Sequence, residues 1–310
     1  MQVIRGMYDV VIVGGGPAGL SAALLLGRCR RRVLVCDSGT PRNAASTALH
    51  GYLTRDGIAP LELRRLGREE LRQYGVELRE TAVVTDVDRS AEGFDVTIQG
   101  VGRVRTLAVL LATGIKDEVP TIPGLTDCYG ITVHHCPYCD GWEHRDKALA
   151  VIGQGAGAAA LALSLKTWTD RVTLCTHGPS RLKPDQRQQL TSRQIAVQDR
   201  RIVRVDHVDG QVRTLVLAGG DTVACEAVFF AGRQSQQCDL PRRLGCEFTR
   251  KGTVKTDHLG ETCVPGIFVV GDASRDVQFA IVAAAEGAKA GVAINKALQA
   301  RAGLAVHSTA

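Results

Sequence analysis

The sequence lacks what a membrane, secreted or disulfide-stapled protein requires. No run stays apolar for the ~18–20 residues of a membrane span. Residues 1–13 show no basic start, apolar run and small-residue cleavage site of an export signal. Ten cysteines among 310 residues are too few for a stapled scaffold, and a chain of this length buries roughly three quarters of its unfolded surface without staples. Thiols without an export signal make the reducing cytoplasm the expected compartment. Charge of one sign is also in short supply, with 38 Lys+Arg against 32 Asp+Glu and a net charge of +6. Arg28, Arg30, Arg31 and Arg32 cluster, but no basic tail or aromatic-interleaved stripe follows. That cluster is expected to be a solvated helix end, with no nucleic-acid partner.

What is present is a repeated pattern. Strand Tyr8–Val13 runs into Gly14-Gly15-Gly16-Pro17-Ala18-Gly19, an apolar helical run Leu20–Leu26, and a second strand Arg32–Cys36 ending at Asp37. The pattern returns as Lys147–Ile152, Gly153-Gln154-Gly155-Ala156-Gly157-Ala158, Ala159–Leu165 and Arg171–Cys175. Each reads as a βαβ unit opening a parallel sheet. The fold class is therefore α/β with two Rossmann-like nucleotide-binding domains. Strands at Phe94–Ile98 and Thr106–Ala112 belong with the first unit, and Thr214–Leu217 and Ala227–Phe230 with the second. Turn-rich Pro120–Gly124 marks one crossover, and a second falls between Gly232 and Cys246. A strand pattern over Gly266–Asp272 and an alanine-rich helix from about Ile281 to Ala300 return to the first domain. The expected domains are 1–117 with 246–310, discontinuous, and an inserted 118–245.

A glycine turn alone is weak evidence, but here the context supplies its function. Gly14, Gly16 and Gly19 follow a strand and open a helix, where backbone N–H groups can face a pyrophosphate. Asp37 ends the next strand, where a carboxylate can accept from ribose hydroxyls. Ala112-Thr113-Gly114 closes a strand. Gly271-Asp272 closes another, and Gln278-Phe279-Ala280 precede a helix whose N-terminus suits the negative charge of a reduced flavin. These features together point to FAD. Cys136-Pro137-Tyr138-Cys139 is the chemical centre: two thiols two residues apart at a helix start can share a disulfide and a lowered thiolate pKa. Proline suits the first helical position after Cys136. His134, His135 and Asp140 flank the pair as candidate proton carriers, with the choice among them open. A zinc site of Cys128, Cys136, Cys139 and a histidine is disfavoured, since one CxxC lacks a second pair, and no metal is expected. The other eight cysteines read as small hydrophobes.

On these motifs the chain resembles the low-molecular-weight thioredoxin reductases over nearly its whole length. The resemblance rests on Gly14 to Gly19, Ala112 to Gly114, Cys136 to Gly141, Gly153 to Ala158, and Gly271-Asp272. It implies an FAD domain interrupted by a pyridine-nucleotide-type domain, a homodimer, Cys139 as the cysteine nearer the flavin and Cys136 as the one that meets substrate. It also implies a flavin site that includes Ser38, Arg42, Asn43, His50 and Val83.

Two departures shape the functional expectation. Where NADPH-using relatives carry an HRRxxxR-type motif, this chain has Cys175-Thr-His-Gly-Pro-Ser-Arg-Leu-Lys183, so the 2′-phosphate would be poorly compensated. NADP(H) is accordingly not expected to be required. The block His134 to Glu143, with Pro41–Ala45 and His50–Gly57, is similar to the dithiol oxidases of gliotoxin- and holomycin-type natural products. That similarity implies oxidation of a small-molecule dithiol to its intramolecular disulfide, with electrons passing through the cysteine pair to FAD and on to O2. The alternative is an NADPH-dependent, thioredoxin-reductase-type disulfide reductase.

Overall fold

A computed structural model describes residues 6–275 and 277–304. The ends of the expected first domain, residues 1–5 and 305–310, lie outside the described residues. The chain forms two α/β units. One comprises the segment up to Ala44, Gly51–Lys116 and everything from Ser235. The other comprises Ala45–His50 and Asp117–Gln234.

The first unit is built on a sheet whose order, among the described residues, is Glu77–Glu80, Val33–Asp37, Tyr8–Val13, Gly102–Leu111, Phe94–Ile98 and Val84–Arg89, with Ile267–Val269 also paired to Gly102–Leu111. Where its central strands run parallel, Val10–Val13, Val33–Cys36, Ala108–Leu111 and Ile267–Val269 are apolar and buried, because both faces are covered. Val11 and Val13 point to one core, whereas Val10 and Ile12 point to the other, beneath the helices Pro17–Arg28 and Ala280–Arg301. Phe94–Ile98 and the antiparallel first half of Gly102–Leu111 instead alternate buried and more open residues, as sheets with one wet face do. The two long helices approach so closely that a Cβ on Gly287 would lie 1.9 Å from the Ala18 carbonyl oxygen.

The second unit has a parallel sheet in the order Ala196–Gln198, Val172–Cys175, Leu149–Ile152, Ala227–Phe230, Val133–His134. Leu149 and Val151 pack under helix Gly155–Leu165. Ala150 and Ile152 pack against the antiparallel strands Ile202–Val208 and Gln211–Leu217.

The chain passes into the second unit at Lys116/Asp117 and leaves it at Gln234/Ser235. The exit thus precedes the 245/246 boundary expected from sequence. The reason is packing: Leu240 and Cys246 are buried in the first unit's core, with Cys238 and Leu244 against it. No helix among the described residues is long and apolar enough to cross a membrane.

Candidate active site

Cys136 and Cys139 form a disulfide, with Cα atoms 5.3 Å apart. Cys136 is the N-cap of the short helix Pro137–Asp140, with extended backbone and Pro137 at the first helical position, and the Cys139 N–H donates to Cys136 Sγ at 3.1 Å. The intervening Tyr138 is 71% exposed and meets the Trp168 ring edge-on at 5.6 Å.

The flanking groups separate into two sets. His134, on strand Val133–His134, is buried; its Nδ1 lies 3.3 Å from Asp140 Oδ1 and its Nε2 lies 2.9 Å from Nε2 of His144. Both imidazoles rest on Phe229, at centroid distances of 5.5 and 6.3 Å. Burial, reinforced by His134 and Lys147, pushes the His144 pKa down to about 4. His135 joins a different group: its Nδ1 is 3.4 Å from the Tyr129 hydroxyl and 3.9 Å from Asp117 Oδ2. The structure therefore brings His134 and Asp140 together and places His135 with Tyr129 and Asp117. His144 escapes sequence reasoning because Glu143-His144-Arg145-Asp146-Lys147 reads as a solvated charged turn. Cys128 donates instead to the Gly124 carbonyl, at 3.3 Å.

In the first unit the glycine turn is packed tightly on the chain's own backbone at Gly14 and Gly19 and open at Gly16. Gly14 has φ +111°, and a Cβ there would meet the Ala112 carbonyl oxygen at 2.2 Å. A Cβ on Gly19 would meet the Gly14 oxygen at 1.9 Å, whereas one on Gly16 would meet nothing within 4 Å. That open side faces the start of helix Pro17–Arg28, whose N-cap Gly16 provides no side-chain cap and where Ala18 is buried. Gly14 N–H is taken by the Cys36 carbonyl at 2.8 Å, whereas the start of the helix, uncapped by any side chain, offers its first amides to a pyrophosphate.

Asp37 is already engaged. Its Oδ2 accepts from Arg64 and, at 2.7 Å, from Arg68; its Oδ1 accepts from Gly39 N–H at 3.2 Å. Sequence reading missed these arginines, although their i,i+4 spacing on helix Pro60–Arg72 puts both on one face.

The remaining expected flavin residues surround the same strand ends or lie apart from them. Arg42 is paired to Asp272 at 2.9 Å, Gly271 N–H donates to Glu286 at 2.9 Å, and Gly114 accepts from Gln237 N–H at 3.2 Å. Phe279 is the N-cap and Ala280 the first residue of the last helix, and Gln278 directly precedes them. Asn43 is half-buried, Thr113 contributes a buried hydroxyl, Ser38 lies 3.0 Å from Thr40 on the surface, and Val83 is exposed. Gln236 donates to the Ala273 carbonyl at 3.0 Å while its buried Oε1 has no partner, an acceptor ready for a ligand N–H. Open turn, uncapped helix and unsatisfied acceptor fit FAD. His50 belongs to the second unit, 3.5 Å from Glu143.

In the second glycine turn one amide is taken by the chain itself. Gly155 N–H, the first amide of helix Gly155–Leu165, donates to the Ser180 carbonyl at 2.8 Å, and Gln154 Nε2 donates to the Thr176 carbonyl at 3.1 Å. The segment that would carry the arginines of a 2′-phosphate site is thereby folded back onto the turn.

The sequence matches the family model for pyridine nucleotide-disulphide oxidoreductases over residues 8–287. Thioredoxin reductase aclD of Aspergillus oryzae is 31% identical over 301 residues, spanning 93% of this chain and 95% of that one. A thioredoxin reductase of Treponema pallidum is 32% identical over 298 residues, with 91% and 94% covered. Among solved structures, the crystal structure of HlmI is similar with a TM-score of 0.92 at 39% identity, covering 97% of this chain and 95% of that chain.

Proposed function

Because the chain belongs to the pyridine nucleotide-disulphide oxidoreductase family, and is thus an oxidoreductase, we propose that it is an FAD-dependent dithiol oxidase that closes an intramolecular disulfide in a small molecule. The observation that carries the reading is the Cys136–Cys139 disulfide beside a paired imidazole and carboxylate, His134 and Asp140.

A substrate thiolate attacks Cys136 Sγ and expels the Cys139 thiolate. The second substrate thiol then attacks the sulfur bonded to Cys136, releasing cyclic disulfide and leaving two reduced cysteines. The substrate loses two electrons and two protons, and the cysteine pair gains the electrons. The His134–Asp140 couple accepts a thiol proton, which matters because only the thiolate attacks. Bound FAD would supply the two-electron acceptor, with O2 as the terminal oxidant. Gly16, Gly19 and the uncapped helix would hold its pyrophosphate, with Gly14 shaping the turn. The working form is a homodimer.

The bond from Gly155 to Ser180 supports an oxidase over an NADPH-dependent reductase, since a backbone carbonyl stands on the amide that a pyrophosphate would need. Anaerobic mixing separates the two: dithiothreitol should bleach the flavin and NADPH should not. Cys136→Ser and Cys139→Ser should each abolish dithiol-driven oxygen consumption while retaining yellow FAD. Full activity in either variant refutes the mechanism.

A further inference from the structure

We infer that His144 is a positioning residue of the redox centre: it donates its Nε2–H to His134 and thereby holds His134 in the tautomer whose Nδ1–H points at Asp140. The inference rests on the dithiol-oxidase reading only for the use made of the proton.

Two imidazole nitrogens 2.9 Å apart need one hydrogen between them, so one Nε2 donates and the other accepts. The other nitrogen of His144 decides which. His144 Nδ1 is buried and has no hydrogen-bond partner. A neutral ring carries one proton. Placing it on Nδ1 would bury an orphaned N–H, whereas placing it on Nε2 leaves only a bare lone pair, the more tolerated of the two defects. The ring stays neutral at physiological pH, because its pKa is depressed to about 4. The charged groups facing it are Lys147 from its own turn, Asp140 from the helix before it, and Glu226 at the start of strand Ala227–Phe230, besides His134 itself. Phe229 beneath both rings bars water from that side.

The consequence runs outward. With Nε2 of His134 occupied as an acceptor, its single hydrogen sits on Nδ1, 3.3 Å from Asp140 Oδ1. His134 then steadies the Asp140 carboxylate, and the carboxylate is the group left to exchange protons with the cysteine pair. His144 touches neither cysteine nor substrate; it acts through His134.

Long-range nitrogen-15 NMR of the histidine rings in the oxidised, FAD-loaded protein tests this directly. His134 should show a protonated Nδ1 and a bare Nε2, and His144 the reverse; a protonated Nε2 on His134 overturns the inference. In the kinetic arm, His144→Phe keeps a ring on Phe229 but loses the donor. Anaerobic reduction by dithiothreitol at neutral pH should slow about tenfold. His144→Gln, which returns an amide N–H near the Nε2 position, should restore most of the rate. Equal rates in wild type and His144→Phe would also overturn it. If His144→Phe does not fold, the wild-type NMR and His144→Gln against His144→Asn, whose amide falls short of His134, still decide. Wild-type flavin bleached by NADPH and not by dithiothreitol would defeat the oxidase reading, while the ring tautomers would still report on His144.

Discussion

Arg64 holds Asp37 inside the first unit: the guanidinium donates to the carboxylate, and each side chain is only 7% exposed. Burial alone would raise the Asp37 carboxyl. The Arg64 charge, the Gly39 N–H and Arg68 outweigh it and hold the group below the usual carboxylate range. Asp37→Asn leaves a buried guanidinium without its counter-charge, which typically costs about 3 kcal/mol or more. Urea unfolding should show that loss, and the purified variant should retain less FAD. Unchanged stability would mean that water and the Gly15 carbonyl, which Arg64 Nε already meets at 3.3 Å, satisfy the guanidinium without the carboxylate.

Gly287→Ala should destabilise the first unit by at least about 2 kcal/mol, because the new methyl would overlap the Ala18 carbonyl and force the helices apart. The opening turn of Pro17–Arg28 carries that carbonyl, so flavin retention should fall along with the thermal midpoint. Gly157→Ala, where a Cβ meets nothing within 4 Å, is the control and should change little.

His144 links stability to pH with a definite sign. Its pKa falls from 6.5 to about 4 on folding, so between those values the unfolded chain binds more protons than the folded one. The contribution is fully present above the unfolded value and is lost as pH falls from about 6.5 towards 4, by up to ~3 kcal/mol. Urea midpoints at pH 7 and pH 4.5 should differ less in His144→Phe than in wild type.

Tyr138 offers an exposed aromatic face between the two cysteines. Tyr138→Ala should raise KM for an apolar cyclic dithiol about fivefold, equivalent to ~1 kcal/mol of ring contact. KM for dithiothreitol, which has little apolar surface to lay against the ring, should move less than twofold. Equal effects on both substrates would assign Tyr138 to shaping the disulfide rather than to recognition.

The repeated strand–glycine–helix–strand pattern was legible because local chemistry dictates it: apolar runs buried on both faces, and glycines where backbones nearly touch. The exit from the second unit was legible only as a crossover somewhere between Gly232 and Cys246, since the polar strand Gln234–Gln236 and the four-residue helix Leu240–Arg243 carry no periodic signal, and only the long-range burial of Leu240 and Cys246 decides their allegiance. The cysteine pair announced itself by spacing. His144 did not, because its burial depends on Phe229, which comes far later in the chain and is brought to it by strand pairing. Arg64 was hidden for the same reason: a charged residue on a charged helix looks solvated until Asp37 is placed beside it.

Strand Ile267–Val269 and helix Ala280–Arg301 complete a sheet that Tyr8–Val13 begins. During synthesis, the early strands leave the ribosome long before the segment that covers Val10, Ile12 and Ala22. The inserted sheet has all its strands within residues 117–234 and can be finished while the earlier one still waits. The nascent chain therefore carries an uncovered apolar face through most of translation, which makes the flavin-type unit the later to mature and the one most in need of chaperone protection.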